Sequence, residues 1–101
     1  MAEQAAVVEN LEGDAIQVNL PGQLTIAGSS SLHEELARIV ESTDVVTLNA
    51  SHVEKVDTAG IQLIAAFAHE RSDQSLITEL RHRPDRLTEA LAMLGLTAVF
   101  S

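Results

Sequence analysis

The run Val45-Val46-Thr47-Leu48-Asn49-Ala50 is apolar or small on both faces, and a helical apolar pattern follows it within a dozen residues. A strand without a fully charged face belongs inside a sheet, covered by helices on at least one side. The chain is therefore read as an α/β protein, and the flanking segments are judged by whether they supply partner strands and covering helices.

Partner strands are present on both sides. Ile16, Val18 and Leu20 alternate against Gln17 and Asn19, the period of a half-buried strand. Ala6 to Leu11 reads as a short edge strand with Glu12-Gly13-Asp14 as its turn. Pro21-Gly22 breaks the second strand, and Leu24-Thr25-Ile26 resumes it briefly before a Gly28-Ser29-Ser30 loop. Ser75 to Leu80 reads as a further strand. Leu96 to Phe100 reads as a terminal edge strand, with Phe100 anchoring the tail against the core.

Three helices fit between them. Ser31 followed by Glu34 has capping-box spacing, and Leu32, Leu36, Ile39 and Val40 make one apolar stripe about three turns long. After a Ser51 to Lys55 loop, Asp57 or Thr58 caps a helix burying Ile61, Ile64, Ala65 and Ala68. Pro84-Asp85 opens the last helix, Leu87, Leu91 and Leu94 line it, and Gly95 stops it. The order β-β-α-β-α-β-α-β predicts a largely parallel sheet in a single domain spanning 1–101, with no repeat or linker.

Composition narrows the function classes. The 101 residues include two phenylalanines and no tryptophan, tyrosine or cysteine, so disulfides and thiolate metal sites are excluded. Residues 1–57 carry ten acids against Arg38 and Lys55, whereas residues 58–101 carry five acids against four arginines. That balance disfavours nucleic acid and favours a protein partner with a basic surface. No run approaches the roughly 20 apolar residues of a membrane span, and the acidic start lacks a signal peptide's positive flank, so a cytoplasmic protein without membrane insertion is expected.

Catalytic and cofactor motifs are missing. His33, His52, His69 and His82 are scattered without a local ligand pair, Ser29-Ser30-Ser31 has no nucleophile elbow, and the five glycines match no phosphate loop. No enzyme activity, cofactor or metal is expected. Asp57-Thr58-Ala59-Gly60 differs, because it stands where loop becomes helix and the helix's unpaired amides meet an exposed turn. Its plain reading is a cap plus a tight-packing glycine. Its functional reading is a recognition or phosphorylation surface.

The stretch from Val45 through Asp57-Thr58-Ala59-Gly60 to Leu63 resembles the signature of the STAS domain family, which includes bacterial anti-sigma factor antagonists. The match extends to Leu20-Pro21-Gly22-Gln23-Leu24 before it and to Pro84–Leu96 after it. The resemblance implies a mixed sheet of four to five strands with helices packed mainly on one side, and a regulatory, protein-binding role. In the antagonists, the loop and helix at this motif dock on a GHKL-type kinase that is also an anti-sigma factor. Phosphorylation of the serine before the motif glycine breaks that partnership.

Carried onto this chain, the phosphoserine position is Ala59, which has no hydroxyl. Thr58, one residue earlier, becomes the candidate phosphoacceptor, and Asp57, Thr58, Ala59, Gly60 and Ile61 become the expected partner-binding residues. Asn49 stands where the family often has an aspartate, which weakens any metal-assisted phosphotransfer. Small STAS subunits of lipid-trafficking ABC transporters resemble the pattern too, with Asp-Thr-Gly-Gly at the motif. Threonine-bearing STAS proteins also serve chemotaxis-type signalling complexes, so both alternatives stand beside the kinase partner.

Overall fold

The computed structural model describes residues 7–11, 15–27 and 30–100. Six strands are present among them: β1 (Val7–Leu11), β2 (Ala15–Asn19), β3 (Gln23–Leu24), β4 (Val45–Asn49), β5 (Lys55–Val56) and β6 (Thr78–Arg81). Three α-helices accompany them, α1 (Ser30–Ile39), α2 (Thr58–Asp73) and α3 (Asp85–Met93), with a 3₁₀ turn at Thr97–Val99. The main sheet has the order β1-β2-β4-β6, and β3 pairs with β5 in a separate two-stranded sheet. Only β1 runs antiparallel to its neighbour; β2, β4 and β6 are parallel. The expected mixed α/β sheet is therefore present, with the apolar run at 45–50 at its centre.

Register explains why the helices lie on one side. Ile16, Val46 and Thr78 are in line across the three parallel strands, as are Val18, Leu48 and Leu80, and all six are buried under the helices. The alternate rows, Gln17-Thr47-Glu79 and Asn19-Asn49-Arg81, face the other way and bond among themselves. Asn19 Oδ1 accepts from Asn49 Nδ2 at 2.9 Å and from Gln17 Nε2 at 3.0 Å, and Arg81 pairs with Glu79 at 2.8 Å. A face whose polar groups satisfy one another has no need of a helical cover.

Leu32 and Leu36 of α1, Ile61, Ile64 and Phe67 of α2, and Leu87 and Leu91 of α3 complete the core. Phe100 is buried and anchors the tail as expected. The tail is not an edge strand, however. Gly95 at φ 69° turns the chain so that Leu96 N–H bonds the Leu91 carbonyl at 2.8 Å, and a 3₁₀ turn follows. Boundaries also move, and the strand expected from Ser75 begins only at Thr78, because Ser75 at φ 61° still belongs to the turn that ends α2. Helix α1 opens at Ser30, so Ser31 sits inside the first turn and not at the cap, and Lys55, read as loop, belongs to β5. The expected turn at 12–14 and the loop positions 28 and 29 lie outside the described residues.

Candidate functional site

The site grows from the way Leu20–Ile26 is stitched to the start of α2. Leu20 N–H bonds the Asn49 carbonyl at 2.9 Å, extending the strand pairing, and the Gly22 carbonyl accepts from Glu54 N–H at 2.7 Å and Lys55 N–H at 3.1 Å. The two-residue β3–β5 pairing continues the seam, and Asp57 N–H closes it on the Leu24 carbonyl at 3.1 Å.

Asp57 then uses both carboxylate oxygens. Oδ1 accepts Gly60 N–H at 2.8 Å, which makes Asp57 the N-cap of α2, and Oδ2 accepts Ile26 N–H at 3.1 Å. One side chain thus satisfies an orphan helix amide and holds the segment leading to α1. These bonds, the one from Gly60 foremost and then that from Ile26, hold the carboxyl below its usual range against a smaller opposing effect of desolvation.

Gly60 lets the seam come this close. A Cβ there would lie 2.0 Å from the Leu24 carbonyl oxygen, so helix and strand backbones are in direct contact. The five motif residues therefore divide. Thr58 and Ala59 are exposed on the first turn, and Asp57 is half-buried under its bonds. Gly60 and Ile61, expected among the partner-binding residues, are buried, with Ile61 only 2 % exposed. They shape the platform from beneath and do not present a side chain to a partner in this structure.

The surface beside Thr58 and Ala59 includes residues that the motif did not single out. Ile26 is 72 % exposed at the mouth of a depression whose lining also includes His33, Glu34, Ala59, Gln62 and Leu63. No sequence signal marks Ile26 as exposed, because it stands 31 positions from Asp57 and the Leu24-Thr25-Ile26 run has strand composition. His52 lies in an exposed turn and takes no part in the Asp57 bonds. Among the described residues no group of three histidine or acidic side chains is placed to hold a metal ion, and no helix is long and apolar enough to cross a membrane.

Comparison with known proteins places this geometry. The family model described as "Mlab, STAS domain" matches residues 7–100. No curated protein matches the sequence. The phosphorylated form of the Bacillus cell fate determinant SpoIIAA is similar in structure, with TM-score 0.75 and 14 % identity over 96 % of this chain and 89 % of that one. A Thermotoga maritima protein classed as an anti-sigma factor antagonist superimposes with TM-score 0.77 and 15 % identity, over 95 % of this chain and 83 % of that one. At those identities the likeness is one of fold. Mglu contains a similar region, 26 % identical over 79 % of this chain with TM-score 0.66, which makes up 20 % of that longer chain.

Proposed function

The chain belongs to the STAS domain family, whose members are characteristically non-catalytic regulatory modules, and from that premise we propose that it docks on a GHKL-type kinase in a partner-switching pathway. The surface that docks is the first turn of α2 with the neighbouring Ile26 segment. The observation that supports this reading is the presentation of Thr58: it is exposed at the first helical position, while the Asp57 carboxylate beside it is fully engaged by backbone amides. A partner meets a fixed, backbone-braced platform and not a loop it must order.

The same placement suits Thr58 to modification. A phosphoryl group on its hydroxyl adds roughly −1.5 to −2 charges at the rim of the platform, next to the ionised Asp57. Repulsion of the partner follows if that partner places acidic groups or apolar surface there. The test is affinity purification from the native cell extract with wild type and Thr58→Glu as baits, read by identification of bound proteins and by intact mass of the bait. A GHKL-type kinase held by wild type and lost with Thr58→Glu is the expected result. Recovery of no such kinase with either bait overturns it.

A second reading draws on the Asp57-Thr58 pair, which resembles the motif of small STAS subunits of lipid-trafficking ABC transporters, and on the Mlab description of the matching family model. In that case an ABC ATPase is retained equally by both baits and Thr58 stays unmodified.

A further inference from the structure

A trough runs between α1 and α2. At one end a depression of about 590 Å³ is bounded by Ile26, Ser30 and Ala59, and at the other a smaller one of about 200 Å³ is bounded by Val40 and Glu70. His33 and Leu63 line both, so the two adjoin end to end. The trough follows α1 for its ten residues, which at 1.5 Å per residue is about 15 Å, or three helical turns.

Its chemistry is uneven in an informative way. The floor is apolar, made by Leu36, Leu63, Ala66 and Phe67. Its charged lining residues are Glu34 near the Ala59 end and Glu70 at the other, and neither lysine nor arginine lines it among the described residues. Helix α2 has no charged residue from Thr58 to His69, although Thr58, Ala59, Gln62, Ala66 and His69 are exposed and the protein carries a net charge of −9. An exposed helix face normally carries charges; one that is neutral and small admits another helix at close range.

We infer that the α1–α2 trough receives an amphipathic helix of about three turns from the partner, its apolar stripe seated over Leu63 and Ala66 and its ends carrying lysine or arginine against Glu34 and Glu70. This deepens the docking function proposed above and rests on it. The acidic trough selects against a second copy of this chain, which would bring the same sign of charge, and favours a basic-ended segment.

The test uses ¹⁵N-labelled protein and two synthetic peptides of about 14 residues, helical by design, with leucines at i, i+3, i+4 and i+7. One carries two lysines at each end and the other two glutamates. At low ionic strength the lysine-ended peptide is expected to shift amide resonances of α1, of the first three turns of α2 and of 25–27, and to bind at least about tenfold more tightly than the glutamate-ended one. The double change Glu34→Lys with Glu70→Lys should invert that preference. Ala66→Arg, at an exposed position, should abolish binding of both while leaving the far-ultraviolet circular dichroism unchanged. Equal binding of the two peptides, shifts confined to the helix-free sheet face, or no shift at all overturns the inference. Its failure is separable from that of the docking function: a kinase captured equally well by Ala66→Arg removes the trough and leaves docking intact, whereas peptide binding with no kinase recovered does the reverse.

Discussion

Arg71 Nε donates to Thr78 Oγ1 at 2.8 Å, and both side chains are buried. The rest of the guanidinium gathers carbonyls from the segments that α2 must hold together. Nη1 reaches Ser42 at 2.8 Å, with Ile39 and Val40 at 3.3 and 3.4 Å, while Nη2 reaches Asp44 at 2.8 Å and Ile77 at 2.9 Å. These are the last carbonyls of α1, the loop into β4 and the loop into β6. A single cation thus closes the C-terminal end of one helix, where the helix dipole favours it, and ties two strand entries to a second helix. Burial pulls the guanidinium below its ordinary pKa and the nearby Asp44 charge opposes that shift.

Replacing this group should be costly. Arg71→Met fills much of the volume but takes the guanidinium donors from Thr78 Oγ1 and from the Ser42 and Asp44 carbonyls, while the Ile77 carbonyl keeps Val46 N–H at 3.2 Å, and each buried acceptor left without a donor costs on the order of 1–3 kcal/mol. The expected loss is about 3–5 kcal/mol, read from urea unfolding. Arg71→Lys should recover only part of it, because an ammonium lacks the planar fork that serves carbonyls on three segments. A loss for Arg71→Met below about 1 kcal/mol would mean that water replaces the guanidinium there.

Gly60→Ala is a case where helix propensity and packing oppose each other. Alanine is favoured over glycine inside a helix by about 1 kcal/mol. Yet its Cβ would stand 2.0 Å from the Leu24 oxygen and 2.3 Å from the Leu24 carbonyl carbon, both backbone atoms fixed by the β3–β5 seam. Overpacking should win, with a net loss of about 1–3 kcal/mol in the same unfolding measurement. A stabilised Gly60→Ala protein would mean that the α2 start stands off from β3.

Most elements were legible because each rests on a local period: Ile16 and Val18 in β2, Val46 and Leu48 in β4, Leu87 and Leu91 in α3. A cap at Asp57 or Thr58 was legible too, since a capping side chain acts within three residues of itself, and the structure settles it on Asp57. Arg71 was not, because arginine at the end of a helical run ordinarily faces water, and its partners come from positions 29 residues earlier and 7 later. The β3–β5 pairing was hidden for another reason: two residues are too few to show alternation, and the pairing spans 32 positions. Ile26 was read as strand because a pattern of apolar residues says nothing about which of them a later segment will cover. The tail was misread because Leu96 to Phe100 has strand composition, while the turn at Gly95 had already closed on Leu91.

Two helix ends in this protein make the same turn with different residues. After α3, Gly95 adopts φ 69°, with its N–H on Ala92 and Leu96 N–H on Leu91. After α2, Ser75 adopts φ 61°, with its N–H on Ser72 and Leu76 N–H on Arg71. A left-handed conformation costs a residue with a Cβ about 1–2 kcal/mol that glycine does not incur. Ser75→Gly should therefore stabilise the protein by about 0.5–1 kcal/mol. Gly95→Ala, whose Cβ meets no atom within 4 Å, should destabilise it by about 1 kcal/mol through backbone conformation alone. Changes of the same sign in the two thermal midpoints would contradict the shared geometry.

The pH dependence contributed by Asp57 follows from its two amide bonds. They stabilise the ionised form in the folded state, so the folded pKa lies below the value of 3.8 for a free carboxyl. A group depressed in this way contributes stability that is fully present above the unfolded pKa and is lost as pH falls through the folded one. Asp57→Asn keeps an oxygen able to cap Gly60 but cannot ionise, so it lacks that contribution at every pH. Comparing the two proteins at each pH isolates the contribution of position 57. Wild type should therefore have the higher urea midpoint near pH 7, with the gap unchanged down to about pH 5 and closing progressively below about pH 4. A gap that stays constant to about pH 2.5 would place the role of Asp57 in side-chain shape and not in charge, and would leave the Ile26 segment held by something other than an ionised carboxylate.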